Sequence, residues 1–333
     1  LSSVLQFGRQ ALAKPDGRRK LLQLVAHEYL HQWNVRRLRP VELTPYAYGQ
    51  AVVVPTLWFA EGVTSYVDQL LPHAAGITSE AEVLEDLGAD LSRYLLSPGR
   101  RVQSLRASSQ EAWVKLYLAD AHSANSQISY YLKGAVLALV LDLRLRQRGS
   151  GLPAVLQELW RSHGAVGRGY SEADLIASLA RQAPDLAQLL PAWLTSTQDP
   201  PLEQALAWVG LRLRPQQASV PWVGCQLEGQ AGNLRLKRVE RDSPAQQVGL
   251  SVGDELLALD GQRLSSSDDW ERLLRQRQPG LGRDLLWVRD GLVRHSVLEP
   301  AAPAVQRWTL EPDPAAEPGA AARRAAWLQL CPP

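Results

Sequence analysis

The chain has 333 residues, 45% of them hydrophobic, with 36 Lys plus Arg against 34 Asp plus Glu for a net charge of +2. Such a length can bury a real core and hold more than one domain, and nearly cancelling, interspersed charges give no bulk attraction for nucleic acid or an anionic membrane. The two cysteines, Cys225 and Cys331, form neither a disulfide framework nor a metal-ligand pair, and the densest apolar run, Ala135 to Leu141, is cut by Asp142 well short of a membrane span.

Leu1 to Ala13 is short and partly apolar, and Lys14-Pro15-Asp16-Gly17 is a turn. From Lys20 to Arg39 there is no Gly or Pro, and Leu21, Leu22, Leu24, Val25, Ala26 and Leu30 recur with helical spacing, so a helix is predicted up to Pro40. It carries His27-Glu28-Tyr29-Leu30-His31. The four-residue step sets both imidazoles on one face, where they can share a metal ion, with Glu28 beside them to take a proton from water. Short patterns recur by accident, but two histidines and a glutamate on an apolar helix are costly to bury without a metal or partners.

With no cysteine nearby, a third donor has to be a carboxylate or histidine on a neighbouring element. After a loop from Val41 to Thr56, Trp58-Phe59-Ala60-Glu61-Gly62 opens a second apolar helical run through Leu71. Glu61 is the candidate; the alternative is a glutamate favoured only by the helix dipole. Asp68, two turns further on the same face, and Asn34 are candidates to orient the ligand histidines.

Thr78 to Leu96 reads as an amphipathic helix, Arg100 to Ser109 as a polar loop, and Trp113, Leu116 and Tyr117 as part of a short helical run. His122 lies in a polar stretch and reads as solvated. Ser129-Tyr130-Tyr131-Leu132-Lys133-Gly134 opens a strongly apolar helix through Arg148. A tyrosine hydroxyl there can donate to a developing oxyanion, or merely cap a buried backbone group. Further helices follow around Pro153 to His163, from Glu172 to Gln182 behind a Ser171/Asp174 capping box, and from Leu186 to Leu194. Residues 1–198 thus read as one mainly helical domain and 199–219 as a linker. Within 220–300, strands are predicted at Leu234 to Val239, Glu255 to Leu259, Asp284 to Arg289 and Leu292 to Leu298, with tight turns at Asp260-Gly261 and Asp290-Gly291. Residues 301–333 are an Ala/Pro-rich tail expected to lack a packed core, apart from a short helix from about Ala320 to Leu330.

HEYLHQWNVRRLRP from His27, WFAEGVTSYVDQLL from Trp58 and ISYYLKGAVLALVLDLRLR from Ile128 resemble, in order and spacing, the M61 family of zinc metallopeptidases, the glycyl aminopeptidase-like proteins that carry a PDZ domain. More distantly they are similar to the M1 aminopeptidases, where Ala60-Glu61-Gly62 aligns with an Asn-Glu-Gly sequence and Tyr131 with the tyrosine of Tyr-x-Lys-Gly. Ser243-Pro244-Ala245 with Val248-Gly249-Leu250 and Val252-Gly253-Asp254-Glu255-Leu256 looks like a PDZ domain.

The resemblance implies an α+β chain: a mainly helical, zincin-type catalytic domain of the thermolysin/M1 kind, then a small β-rich PDZ domain. It implies one zinc ion held by His27, His31 and Glu61, with Glu28 as base and Tyr131 as oxyanion donor. The implied activity is that of an aminopeptidase favouring small N-terminal residues such as glycine, with peptides or proteins as substrates. The PDZ domain implies a C-terminal peptide ligand whose carboxylate sits at Val223, Gly224 and Cys225. Alternatives are a PDZ-mediated peptide-binding protein and an endopeptidase. The family's Gly-rich segment and N-terminal β domain do not occur in this sequence, which also lacks methionine, so an N-terminally truncated fragment is expected. The compartment, cytoplasmic or exported, is left open.

Overall fold

Helices dominate wherever apolar residues recur at three- and four-residue spacing. The computed structural model describes residues 3–229 and 232–331; Leu1, Ser2, Gln230, Ala231, Pro332 and Pro333, which include the outer ends of the 1–198 and 301–333 segments, lie outside the described residues. The elements begin with α1 (Arg9–Leu12) and α2 (Gly17–Leu30). A π-helical turn, Trp58–Gly62, runs directly into α3 (Val63–Ala74). Next come α4 (Glu80–Leu95), α5 (Leu105–Gln110), α6 (Ser123–Ser126), α7 (Tyr130–Arg146), α8 (Leu152–Ser162), α9 (Glu172–Gln182), α10 (Leu186–Thr195) and α11 (Leu202–Trp208).

Capping boxes start α4, from Ser79 and Glu82, and α9, from Ser171 and Asp174, each satisfying two orphan backbone donors. Helix α7 is apolar on every side and correspondingly central, with most of its residues buried. Its one fully buried acid, Asp142, is satisfied by the Tyr66 hydroxyl at 2.7 Å, the Leu152 N–H at 2.8 Å and Arg146 Nε at 3.2 Å. Two expectations fail locally. Helix α2 stops at Leu30, nine residues before Arg39, and the 100–109 segment contains α5.

A second core, around Leu236, Leu256, Trp270, Leu285 and Leu298, belongs to a β-rich unit. Strands β2 (Cys225–Glu228), β3 (Arg235–Val239), β4 (Glu255–Leu259), β6 (Arg283–Arg289) and β7 (Leu292–Leu298) form an antiparallel sheet in the order β2-β3-β4-β6-β7, and β5 (Gln262–Arg263) pairs with β4. Two helices accompany it, α12 (Pro244–Gln247) and α13 (Ser267–Leu274). Both predicted tight turns have positive φ at their Asp-Gly pairs, as a hairpin matching strand twist requires.

The linker and tail readings are corrected. Segment 199–219 holds α11 and β1 (Leu211–Gln217), and β1 pairs antiparallel with β8 (Val305–Pro312), from Leu211 opposite Pro312 to Gln217 opposite Val305. The last helix, α14 (Ala320–Leu328), buries Trp327 and Leu328 fully in the helical core, where Trp327 Nε1 donates to the Tyr66 hydroxyl at 2.6 Å. The β-rich unit is therefore an insertion between two strands of one ribbon, which docks on α4 through the Trp308 N–H and Ser92 Oγ at 2.9 Å. A second tether lies on α6: Asn125 donates to the Val239 carbonyl at 2.7 Å and accepts from the Arg241 N–H at 3.0 Å. Among the described residues, no helix is long and apolar enough to cross a membrane.

Candidate active site

His27 lies in the last turn of α2, and His31 follows its end with φ −60° and ψ −14°, so the helical spacing survives although the helix stops. The chain then folds back and buries Asn34 against the π-helical turn. That turn is wider than an ordinary α-helical one, and its Phe59 and Ala60 carbonyls accept from side chains. The Asn34 amide donates to both, at 3.1 and 3.3 Å, and the Thr64 hydroxyl donates to Ala60 at 2.6 Å. Trp58, Phe59, Ala60 and Gly62 are buried and fix the turn in the core. Glu61, half-buried, is the residue it turns toward the histidines.

Glu61 Oε2 lies 3.4 Å from His27 Nε2 and 3.2 Å from His31 Nε2. One donor atom from each of the three residues falls within 4.8 Å of the others. The remaining ring nitrogens are both occupied: His27 Nδ1 meets Asp68 Oδ2 at 2.8 Å, and His31 Nδ1 meets the Asn34 carbonyl at 2.8 Å. A carbonyl only accepts, so His31 carries its proton on Nδ1, and Asp68 favours the same for His27. Neutral imidazoles held this way aim their Nε2 lone pairs at the carboxylate. With both facing ring nitrogens unprotonated, the buried Glu61 Oε2 has no hydrogen-bond donor among the described residues.

Three electron-rich atoms facing one point require a cation or added protons. Burial lowers the His27 pKa, but hydrogen bonds and charges from Asp68 and Glu61 overcome it and raise the ring to about 9. His31 is raised against the same desolvation by Glu61. Burial would raise Glu61, yet the two histidines pull it down to about 2. Asp68 is raised by burial to about 6, with His27 opposing. A divalent cation at this point replaces those protons, and a His, His, carboxylate set with anchored outer nitrogens is a donor set that fits zinc.

Glu28 is half-buried beside His27, and among the described residues its carboxylate has no hydrogen-bond or ion-pair partner. Tyr131 stands on the first turn of α7, which packs backbone to backbone on the π-helical turn: a Cβ at Gly62 would lie 2.5 Å from the Gly134 Cα. Burial first, then the Glu61 charge, hold its hydroxyl well above the ordinary tyrosine value, so it remains a donor. Tyr130 is almost wholly buried, its ring stacked on Tyr131 at 4.7 Å and its hydroxyl 3.0 Å from that of Tyr117. Lys133 is buried, donates to the Arg100 and Gln103 carbonyls, and is lowered by desolvation to about 8.

The structure thus gathers His27, His31, Glu61, Glu28, Asp68 and Asn34 in one place. Asn34 acts twice, by its backbone carbonyl on His31 and by its side chain on the Glu61 turn. Thr64 and Tyr117 were not foreseen: a threonine inside an apolar helix and a tyrosine 14 residues before Tyr131 leave no local pattern.

Val223, Gly224 and Cys225 lie on the inserted unit, where Gly224 has φ 72°. A Cβ there would meet Ser243 Cβ at 2.2 Å. The Val223 and Gly224 carbonyls accept from the Ala245 and Glu240 N–H groups, while among the described residues their own N–H groups have no acceptor. The Cys225 thiol is pushed up to about 12 by burial and, secondarily, by Glu240. Edge strand β2 and helix α13 flank a cavity of about 270 Å³ that reaches this loop and is lined by Leu227, Trp270 and Leu274.

Residues 20–137 match the M61 glycyl aminopeptidase family, and residues 235–281 match a PDZ domain. The chain carries an M61 peptidase domain and a PDZ domain. It is also similar to an aminopeptidase N family protein from Idiomarina loihiensis, with 29% identity and a TM-score of 0.84 over 95% of this chain and 57% of that one. The chain thus spans little more than half the length of that neighbour. A serine endoprotease from Yersinia pestis is 24% identical over 25% of this chain and 29% of its own, with a TM-score of 0.23. An HtrA-type protease with a decapeptide is 22% identical over 28% of this chain and 30% of its own, with a TM-score of 0.23. No curated protein matches.

Proposed function

We propose that this chain is the catalytic and PDZ portion of a zinc-dependent peptidase, an aminopeptidase that favours small N-terminal residues such as glycine. The observation that carries the reading is the pair of imidazoles anchored through Nδ1, both presenting Nε2 to the partnerless Glu61 oxygen. His27, His31 and Glu61 would hold the ion. When bound, a divalent cation supplies positive charge that acidifies a water and polarises the scissile carbonyl. Glu28 takes the proton from the attacking water and delivers it to the leaving amine. Tyr131 donates its hydroxyl hydrogen to the oxyanion, and Asp68 and Asn34 keep the histidines in the working tautomer.

The edge strand, the α13 groove and the loop of free N–H groups at Val223 and Gly224 support a peptide carboxyl terminus as the PDZ ligand. An endopeptidase that takes its substrates through that groove is the second reading, favoured by the same cavity. The test is zinc content of wild type and Glu61→Ala, followed by hydrolysis of free-amine and N-blocked peptides by wild type and Glu28→Gln. One equivalent of zinc lost in Glu61→Ala, and hydrolysis abolished in a Glu28→Gln protein that keeps its zinc, is the expected result. Full activity in Glu28→Gln overturns the mechanism, and preference for blocked peptides moves the assignment to an endopeptidase.

A further inference from the structure

The segment Glu111 to Leu118 is rigidly held yet apolar on its outside. Ala112 is buried, Leu116 packs against the helical core, Glu111 pairs with Lys115 at 2.6 Å and accepts from Gln103 at 2.8 Å, and Gln127 donates to the Lys115 carbonyl at 3.3 Å. From that support Trp113, Val114, Tyr117 and Leu118 project into solvent with 59, 68, 58 and 70% of their surface exposed. A neighbouring strip of extended chain adds Val53, 57% exposed, and is tied to the segment by Trp113 Nε1 donating to the Val52 carbonyl at 3.4 Å. Single exposed apolar residues need no explanation, whereas a contiguous cluster on a braced segment marks a contact surface.

Its position identifies the occupant. Tyr117 bonds Tyr130 hydroxyl to hydroxyl at 3.0 Å, Tyr130 stacks on Tyr131, and Tyr131 lies within the field of Glu61. Tyr130 is itself buried, but the exposed Tyr117 sets the edge of the apolar segment at this tyrosine pair, and a peptide lying over the proposed metal site would carry its neighbouring side chains toward it. We propose that Trp113, Tyr117, Leu118 and Val53 form a substrate shelf that takes a bulky apolar side chain, aliphatic or aromatic, at a residue flanking the scissile bond. The proposal rests on the reading of this site as a peptidase and adds a substrate class to it: peptides in which a small N-terminal residue is accompanied by a large apolar one nearby.

Binding separates the two claims. The whole chain, zinc-loaded and carrying Glu28→Gln so that turnover is blocked, is titrated with tetrapeptides Gly-X-Gly-Gly and X-Gly-Gly-Gly, where X is Gly, Ser, Leu or Phe. The same titration is run with Trp113→Ser and Leu118→Ser added, which leave the core untouched because both residues are exposed. Burying one such side chain supports about a tenfold or larger preference for Leu or Phe over Gly in the Gly-X-Gly-Gly series, falling to within about twofold in the added variants with the Gly peptide unchanged, whereas a preference confined to the X-Gly-Gly-Gly series overturns the proposed substrate class. Equal binding of all peptides, or a preference that survives both substitutions, overturns the shelf. A preference that disappears as expected while wild type hydrolyses none of the peptides leaves the shelf standing and removes the peptidase reading instead.

Discussion

Gly62→Ala probes the distance between the Glu61 turn and the helix bearing Tyr131. An ideal Cβ at Gly62 would lie 2.5 Å from the Gly134 Cα and carbonyl carbon, and one at Gly134 would lie 2.8 Å from the Trp58 carbonyl oxygen. Every obstacle is backbone, so no side chain can swing aside. The π-helical turn and α7 must part by about 1 Å to restore ordinary contact in an interior packed to crystal density. Overpacking of this kind costs about 1–3 kcal/mol. At about 2–4 °C per kcal/mol for a body of this size, the melting temperature falls by roughly 3–10 °C. The same displacement moves Tyr131 relative to the proposed metal site, and a misplacement of about 1 Å is worth about a hundredfold in kcat. Circular dichroism melts and peptide hydrolysis measure both effects. Gly49→Ala, whose methyl meets nothing within 4 Å, is the control. If Gly62→Ala melts and turns over like wild type, the glycine contact does not set the site geometry.

Asp68→Asn keeps the size but not the charge of the group on His27 Nδ1, and zinc affinity measured against a chromophoric chelator is expected to fall about 10- to 100-fold; an unchanged affinity refutes the orienting role. In metal-free protein the His27–Glu61 pair makes stability depend on pH. The raised histidine stabilises fully below 6.5 and loses this as pH rises through about 9, whereas the lowered glutamate stabilises fully above 4.5 and loses this as pH falls through about 2. Its contribution, on the order of 3 kcal/mol and counted once for the pair, is expected as a urea-midpoint gap between wild type and Glu61→Gln at about pH 5.5 that narrows by about pH 10. A gap independent of pH contradicts it. Trp327→Ala empties a fully buried site and frees the Tyr66 hydroxyl, at a cost of about 3–5 kcal/mol, so its unfolding midpoint should drop sharply; a wild-type midpoint would mean that α14 is not part of the core.

What was legible in the sequence was whatever depends on local spacing. The step from His27 to His31, the two capping boxes, the Asp-Gly turns and the all-round apolar α7 each follow from a few neighbouring residues. Asp68 was found because two helical turns from Glu61 is also a local relation. The π-helical turn was not legible, since Trp58 to Gly62 reads equally well as ordinary helix; only the Asn34 amide, 25 and 26 residues away from its Phe59 and Ala60 acceptors, shows what completes that turn. The early stop of α2 has the same cause. Nothing in residues 31–39 forbids a helix, but burying Asn34 against the Glu61 turn is incompatible with continuing one.

The ribbon of β1 and β8 was hidden for a different reason. Leu211 to Gln217 contains Pro215 and little apolar alternation, which argues against a strand, and its partner lies on the far side of the PDZ domain. Long-range pairing gives such segments their structure, so composition alone made one a linker and the other a loose tail. The consequence reaches the site. Because the PDZ domain leaves and rejoins the body through paired strands, it has no free-swinging linker, and Asn125 adds a third fixed point. The backbone that Asn125 grips, from Val239 to Arg241, also supplies the Glu240 N–H that holds the Gly224 carbonyl. On the other side, Asn125 belongs to the stretch between Tyr117 and Tyr130. The Gly224 loop, proposed to seat a peptide carboxylate, is therefore joined through one backbone hydrogen bond and the Asn125 side chain to the segment that carries the tyrosines beside the proposed metal site. The two proposed sites are thus connected by fixed contacts as well as by the polypeptide itself.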